Sequence, residues 1–317
     1  MISASPEPIV EHVVRGAERL GLHLYPDPDV HPDHEVDGAP VVVVWPAMGV
    51  PARYYRPLAG ELRAAGLGAA VVDLRGTGSS TPRASRRSRY GYADLADDVG
   101  AVLAALKPRL SGRRVVLLGH SLGGQACVLH LALSNWALSN RTLSNRTLSI
   151  KAPDGVRSGG EADVHGLALI AVGLPWYRLY PGRRSATVLA YTQSIVAMST
   201  AMRVWPGWTF GGRQARGVIR DWGYTARRGR FPKVRGVDAE AAVAAMRTPV
   251  LAISVEHDQY TPAATVDHLC AKLTAAPVER VHLTAAEAGA PVDHFTWVRA
   301  SAPIAARVAR FAAAAPG

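Results

Sequence analysis

The sequence predicts an α/β fold: a mostly parallel, doubly wound sheet with an inserted helical segment. Three observations carry this reading. Short apolar runs that suit buried strands alternate with stretches whose apolar residues recur at helical spacing. At 119–124 the run GHSLGG joins one such strand to one such helix through a sharp turn. Between 175 and 237 the alternation breaks, and aromatic residues, glycine and arginine crowd together. With 317 residues the chain is long enough for one large core that also carries an insertion.

Taken in order, the amino-terminal segments 10–14 and 22–25 have the length and composition of two strands at an antiparallel edge. The apolar runs at 41–45, 68–73, 115–119, 166–172, 249–255 and 281–284 read as the parallel strands. Helical spacing marks crossover helices at 55–65, 92–106, 124–133, 264–273 and 303–314. The core is thus predicted in two parts, 1–174 and 238–317, separated by the aromatic-rich segment 175–237.

GHSLGG places Ser121 on the strand-to-helix turn, where its hydroxyl is a candidate nucleophile. Gly119 and Gly123 flank it because side chains there would collide with the strand or helix packed behind the corner. A nucleophilic serine needs a base, and the base needs an orienting group. Asp258 lies just beyond the strand PVLAISV, at the carboxyl edge where α/β sheets hold their chemistry, and is the candidate carboxylate; an Asx turn or helix cap is the alternative for it. Glu256 competes but lies nearer the strand. Among 11 histidines, His294 follows a strand and a polar loop and precedes the closing helix, which makes it the candidate general base. His120, next to the serine, suits a packing role beneath the turn.

The order Ser121, Asp258, His294 resembles that of α/β-hydrolases, and further segments strengthen the likeness. In VVVVWPAMGVPARYYRPLAGEL, the stretch MGV resembles the HG-plus-small-residue loop of lipases and serine-aminopeptidase-like hydrolases, with Met48 in the histidine position. That alignment implies an oxyanion hole made by the backbone amides of Val50 and Leu122. DLRGTGSS resembles the family's DxRGxGxS segment, where Asp73 and Arg75 are expected to brace loops. AGAPVDHFTWVR, together with the PAMGV segment, is similar to a group of poorly characterised bacterial α/β-hydrolases. Asp293 stands where relatives often carry glycine, and either raises the pKa of the adjacent histidine or caps the last helix.

The resemblance implies that 175–237 is a cap. It holds four of the seven tryptophans, and Trp176, Trp205 and Trp208, with Met48, are the candidate pocket residues for an acyl or aromatic group. Four five-residue units, LALSN, WALSN, RTLSN and RTLSI, fill 131–150. Five matches neither helical nor strand period, so 134–163 is expected to be a low-complexity insertion, with Gly-rich loop at its end.

The formal charge of +11, nearly all from arginine, is dispersed and accompanies no nucleic-acid-binding motif, so no specific nucleic acid is expected as partner. Cys127 and Cys270 read as buried thiols. No apolar run reaches transmembrane length and no leader pattern opens the sequence, so a cytoplasmic location is expected. Without a dinucleotide fingerprint, P-loop or metal-ligand spacing, no cofactor is expected. The implied activity is hydrolysis of a small-molecule carboxylic ester or thioester by Ser121, His294 and Asp258. Acyl transfer, small-amide cleavage and a non-catalytic binding role remain as alternatives.

Overall fold

The computed structural model describes residues 7–27, 38–110, 112–144 and 163–314, with only the backbone described over 138–144. The strands are β1 (Ile9–Arg15), β2 (Glu18–Leu24), β3 (Val41–Trp45), β4 (Gly68–Val72), β5 (Val115–His120), β6 (Gly166–Ile170), β7 (Val204–Trp205), β8 (Gln214–Ala215), β9 (Val250–Val255) and β10 (Val278–Leu283). Eight of them form one sheet in the order β1-β2-β4-β3-β5-β6-β9-β10. β1 pairs antiparallel with β2, and β2 antiparallel with β4; every other neighbour is parallel. β7 and β8 pair separately.

Residues alternate between the two faces along each central strand, and the core divides accordingly. Val43, Trp45, Val115, Leu117, Leu167, Leu169 and Ala252 belong to one apolar cluster. Their neighbours Val42, Val44, Val116, Leu118, Ala168, Ile170 and Ile253 belong to the other. Helices α1 (Arg56–Ala64) and, near the carboxyl end, Ala302–Ala314 cover the second cluster. Helices α2 (Tyr92–Leu110) and α3 (Leu122–Ser144) cover the first, joined there by residues of Ala239–Ala245 and Ala263–Cys270. Burial on both faces explains why the parallel strands are continuously apolar rather than alternating.

Between β6 and Ala239 lie α4 (Arg183–Met202), the β7–β8 pair and α5 (Arg216–Arg228), all inside the aromatic-rich segment. α6 (Ala239–Ala245), α7 (Ala263–Cys270), α8 (Ala285–Ala288) and α9 (Ala302–Ala314) complete the helices. Among the described residues, no helix is long and apolar enough to cross a membrane.

Two sequence expectations need correction. The elbow helix α3, expected over 124–133, starts at Leu122 and continues to Ser144, so the first pentapeptide units extend the helix although their period matches no helical one. Trp136, in the second unit, packs on the core, which supplies the burial a five-residue period alone does not offer. Residues 145–162 of the expected insertion lie outside the described residues. The last strand, β10, begins at Val278 instead of 281, because its first residues pair with the buried β9 despite their polar character.

Candidate active site

The site is assembled at the carboxyl ends of the parallel strands. Ser121 follows β5, the loop containing Met48 follows β3, Asp258 follows β9 and His294 follows β10. Ser121 has φ of +51°, a left-handed conformation that a non-glycine residue adopts only under constraint. The constraint is steric packing around the turn. A Cβ at Gly119 would lie 2.2 Å from Gly124 Cα, and one at Gly123 would lie 2.3 Å from the Trp45 carbonyl oxygen. The two glycines therefore let the helix start directly against the ends of β5 and β3, with the serine presented at the corner.

His294 Nδ1 is 2.8 Å from Asp258 Oδ2, and both side chains are buried. Thr261 Oγ1 also donates to Oδ2, at 2.6 Å, while the amides of Tyr260 and Thr261 donate to Oδ1, each at 2.8 Å. Burial raises the pKa of Asp258, but hydrogen bonding and charge from His294, then the Thr261 bonds, outweigh it and hold the carboxyl below its ordinary value. An ionised Asp258 can only accept, so Nδ1 is the donor in that bond, and Nε2 is the ring nitrogen left to take a proton from a nucleophile. Ser121 and His294 line the same cavity, of about 250 Å³. Among the described residues no hydrogen bond joins the hydroxyl to the imidazole; such contacts commonly tighten only around substrate.

The Asp293 carboxylate is hydrogen-bonded within its own turn. Its Oδ1 accepts the amides of Phe295 (2.9 Å) and Thr296 (2.8 Å) and the Thr296 hydroxyl (2.9 Å). Burial raises its pKa, and these bonds more than reverse that. These bonds close an Asx-type turn ahead of the short 3₁₀ turn Thr296–Ala300, so Asp293 does not cap the last helix, α9 (Ala302–Ala314).

The expected oxyanion donors divide. The Leu122 amide is the first of α3, where helix geometry provides no intrahelical acceptor. The Val50 amide, however, donates to the Ala47 carbonyl at 3.1 Å, and Val50 does not line the cavity. Met48 does line it, and among the described residues its amide has no acceptor. Of the two residues, Met48 rather than Val50 thus has a free amide among the described residues and lines the cavity. The tight Ala47–Val50 turn is the physical reason: it engages the later amide and leaves the earlier one without a backbone acceptor.

That turn is braced from below. Ala47 N–H donates to Tyr55 Oη (2.9 Å), which shares a 2.7 Å hydrogen bond with His120 Nδ1. Burial, and then the charge of nearby His294, hold His120 well below its ordinary pKa, so its ring is neutral. Asp73 Oδ1 accepts the Ala52 amide at 2.6 Å, and Oδ2 accepts from Ser79 N–H (2.7 Å). Arg75 forms a two-pronged ion pair with Asp98, at 2.6 and 2.7 Å. Both residues thus brace loops, as their sequence motif implies.

The expected pocket tryptophans do not line the cavity. Trp176 packs beside His268, with ring centroids 5.3 Å apart; Trp205 is buried and donates its indole N–H to the Phe210 carbonyl; Trp208 is 67% exposed. The aromatic lining comes instead from Tyr180, Tyr191, Phe210, Trp222 and Tyr260. Nothing in the spacing distinguishes these from their neighbours, since inward direction is set by how α4, α5 and the 206–213 loop pack. Gly49 and Gly211 allow that loop to approach the Met48 turn: a Cβ on Gly49 would lie 2.3 Å from the Gly211 carbonyl oxygen.

Comparison with known proteins agrees with this architecture. No curated protein sequence matches the chain. Among solved structures, it is similar to Est1E from Butyrivibrio proteoclasticus, determined with ferulic acid bound, at 12% identity and a TM-score of 0.61, covering 96% of this chain and 99% of that one. A putative lipase from Acinetobacter baumannii aligns at 12% identity and a TM-score of 0.58 over 96% and 91% of the two chains. A thioesterase domain from the curacin biosynthetic pathway aligns at 13% identity and 0.54, over 97% and 100%. Identities this low show a shared fold alone. The family model described as "Alpha/beta hydrolase family" matches residues 42–310, from β3 through most of α9 and across every element that contributes to the cavity, so the chain belongs to the α/β-hydrolase family.

Proposed function

We propose that this protein is a serine hydrolase of carboxylic esters or thioesters, working through an acyl-enzyme. The observation that carries the reading is the buried Asp258–His294 pair, 2.8 Å apart, at the wall of a cavity that Ser121 also lines. Ser121 attacks the acyl carbon while His294 Nε2 takes the hydroxyl proton and Asp258 holds the resulting imidazolium. The amides of Met48 and Leu122 receive the developing oxyanion. His294 then protonates the leaving oxygen or sulfur. In the second half, His294 activates water, which releases the acid and restores Ser121.

The cap formed by α4, α5 and the 206–213 loop supplies an apolar wall through Val188, Phe210 and Trp222, which suits an acyl chain. Structures of similar fold named as a putative lipase and a thioesterase domain, and one determined with ferulic acid bound, support acyl–oxygen or acyl–sulfur bonds as targets. The two unpaired cysteines fit a cytoplasmic setting. Turnover of p-nitrophenyl butyrate tests the reading. Ser121→Ala and His294→Ala should each lose at least about 10³-fold in kcat. Undiminished turnover by purified Ser121→Ala would remove the proposed mechanism.

A further inference from the structure

The cavity has one charged side chain that no acid neutralises. Among the described residues no Asp or Glu lines it, and Arg184, in the first turn of α4, is its one permanent cation. Several of the other polar lining groups are engaged within the protein. Gln125 donates to the Gly173 carbonyl and accepts from Tyr92; Tyr180 donates to the Tyr260 carbonyl; Tyr191 donates to Thr209. Thr187 and Thr192 donate to carbonyls of their own helix. Against this background the guanidinium is under-used. Its Nη2 donates to the Gln259 carbonyl at 2.7 Å, and its carbon lies 5.7 Å from the Tyr180 ring centroid. Among the described residues Nε and Nη1 have no acceptor and no carboxylate pairs with Arg184. Those two contacts fix the group where Gln259 and Tyr260, next to Asp258, meet the cap.

We propose that Arg184 selects substrates whose acyl chain ends in an anionic group, a carboxylate being the simplest. This deepens the hydrolase reading and rests on it for the location of the scissile bond. The remaining walls, Met48, Leu122, Val188, Phe210 and Trp222, are apolar and suit the methylenes between the ester and that terminus. A cavity of about 250 Å³ is smaller than the roughly 300–1,000 Å³ typical of drug-sized ligands, so the chain is short. Arg184 lines the cavity yet is exposed to solvent, so its guanidinium protons left without protein acceptors are accessible to an anion arriving with the substrate, which they can hold through charge-assisted, two-pronged hydrogen bonds. The net charge of +11 adds long-range attraction of the same sign.

The test compares mono-p-nitrophenyl glutarate with its methyl ester, which differ in the terminal charge. The wild-type protein should show kcat/KM at least about tenfold higher for the acid, mainly through KM. In Arg184→Gln that ratio should fall to about one, and Arg184→Lys should restore part of it. Binding is measured in parallel on Ser121→Ala by calorimetry with monomethyl and dimethyl glutarate. A wild-type ratio of one or below, or a ratio unchanged in Arg184→Gln, overturns the proposal. If neither ester is turned over, preferential binding of the monomethyl ester that Arg184→Gln abolishes upholds the anion site while removing the hydrolase reading. Equal binding of the two overturns the anion site.

Discussion

Gly123→Ala is the substitution for which the structure gives the sharpest consequence. The added Cβ would lie 2.3 Å from the Trp45 carbonyl oxygen and 2.5 Å from that of Pro46, whereas real Cβ contacts essentially never fall under 3.0 Å. Both obstacles are backbone, so α3 and the end of β3 must separate by at least 0.7 Å, the shortfall from 2.3 to 3.0 Å. Overpacking of this kind costs about 1–3 kcal/mol. For a chain of this size each kcal/mol lowers Tm by roughly 2 °C, so the expected drop is about 2–6 °C by calorimetry. The same movement stretches the 3.1 Å bond from Gly123 N–H to the Pro46 carbonyl and displaces the Met48 amide, two residues on. Loss of one oxyanion donor costs about 10²–10³ in kcat, and p-nitrophenyl butyrate turnover should fall into that range. A variant with Tm within about 1 °C and kcat within about twofold of wild type would refute both the steric argument and the placement of the donor.

Two further outcomes follow from the buried hydrogen bonds. Asp258→Asn should lower kcat by roughly 10³–10⁴ while leaving the fold intact. Because Asp258 titrates below its ordinary value of 3.8, its ionised form stabilises the fold fully above that pH, and the contribution disappears as pH falls through the folded-state pKa. The Tm difference between wild type and Asp258→Asn should therefore be constant near neutrality and close in acid; a gap that widens in acid would contradict the assignment. Tyr55→Phe removes the hydroxyl joining Ala47 N–H to His120 Nδ1 and leaves both buried groups unpaired. Each costs about 1–3 kcal/mol, read from the denaturant midpoint, and a variant as stable as wild type would show the bridge to be idle.

The scaffold was legible because its signals are local. Continuous apolar runs such as 41–45 and 115–118 are what two covered faces demand, and the glycines around Ser121 announce a turn that only small residues permit. Asp258 and His294 were legible from position, each beyond a strand's carboxyl end, and the structure brings those two side chains together. What escaped the sequence depends on non-local geometry. Which amide of the Ala47–Val50 turn stays free depends on one turn hydrogen bond, which engages the Val50 amide that the motif match pointed to. The cap tryptophans were plausible by composition, yet Tyr180, Phe210, Trp222 and Tyr260 line the cavity because of how separate helices meet. Arg184 is one arginine among many until its missing acidic partner is seen. The helical pentapeptides misled for a related reason: packing of Trp136 overrides a weak local period.

The central claim is that Ser121 is a nucleophile activated by His294. The most direct measurement is the intact mass of the protein after reaction with a fluorophosphonate, followed by peptide mapping. The account predicts a single adduct on the peptide containing Ser121, abolished in Ser121→Ala and formed much more slowly in His294→Ala. Labelling that persists in Ser121→Ala, or proceeds at the wild-type rate without the imidazole, would contradict it.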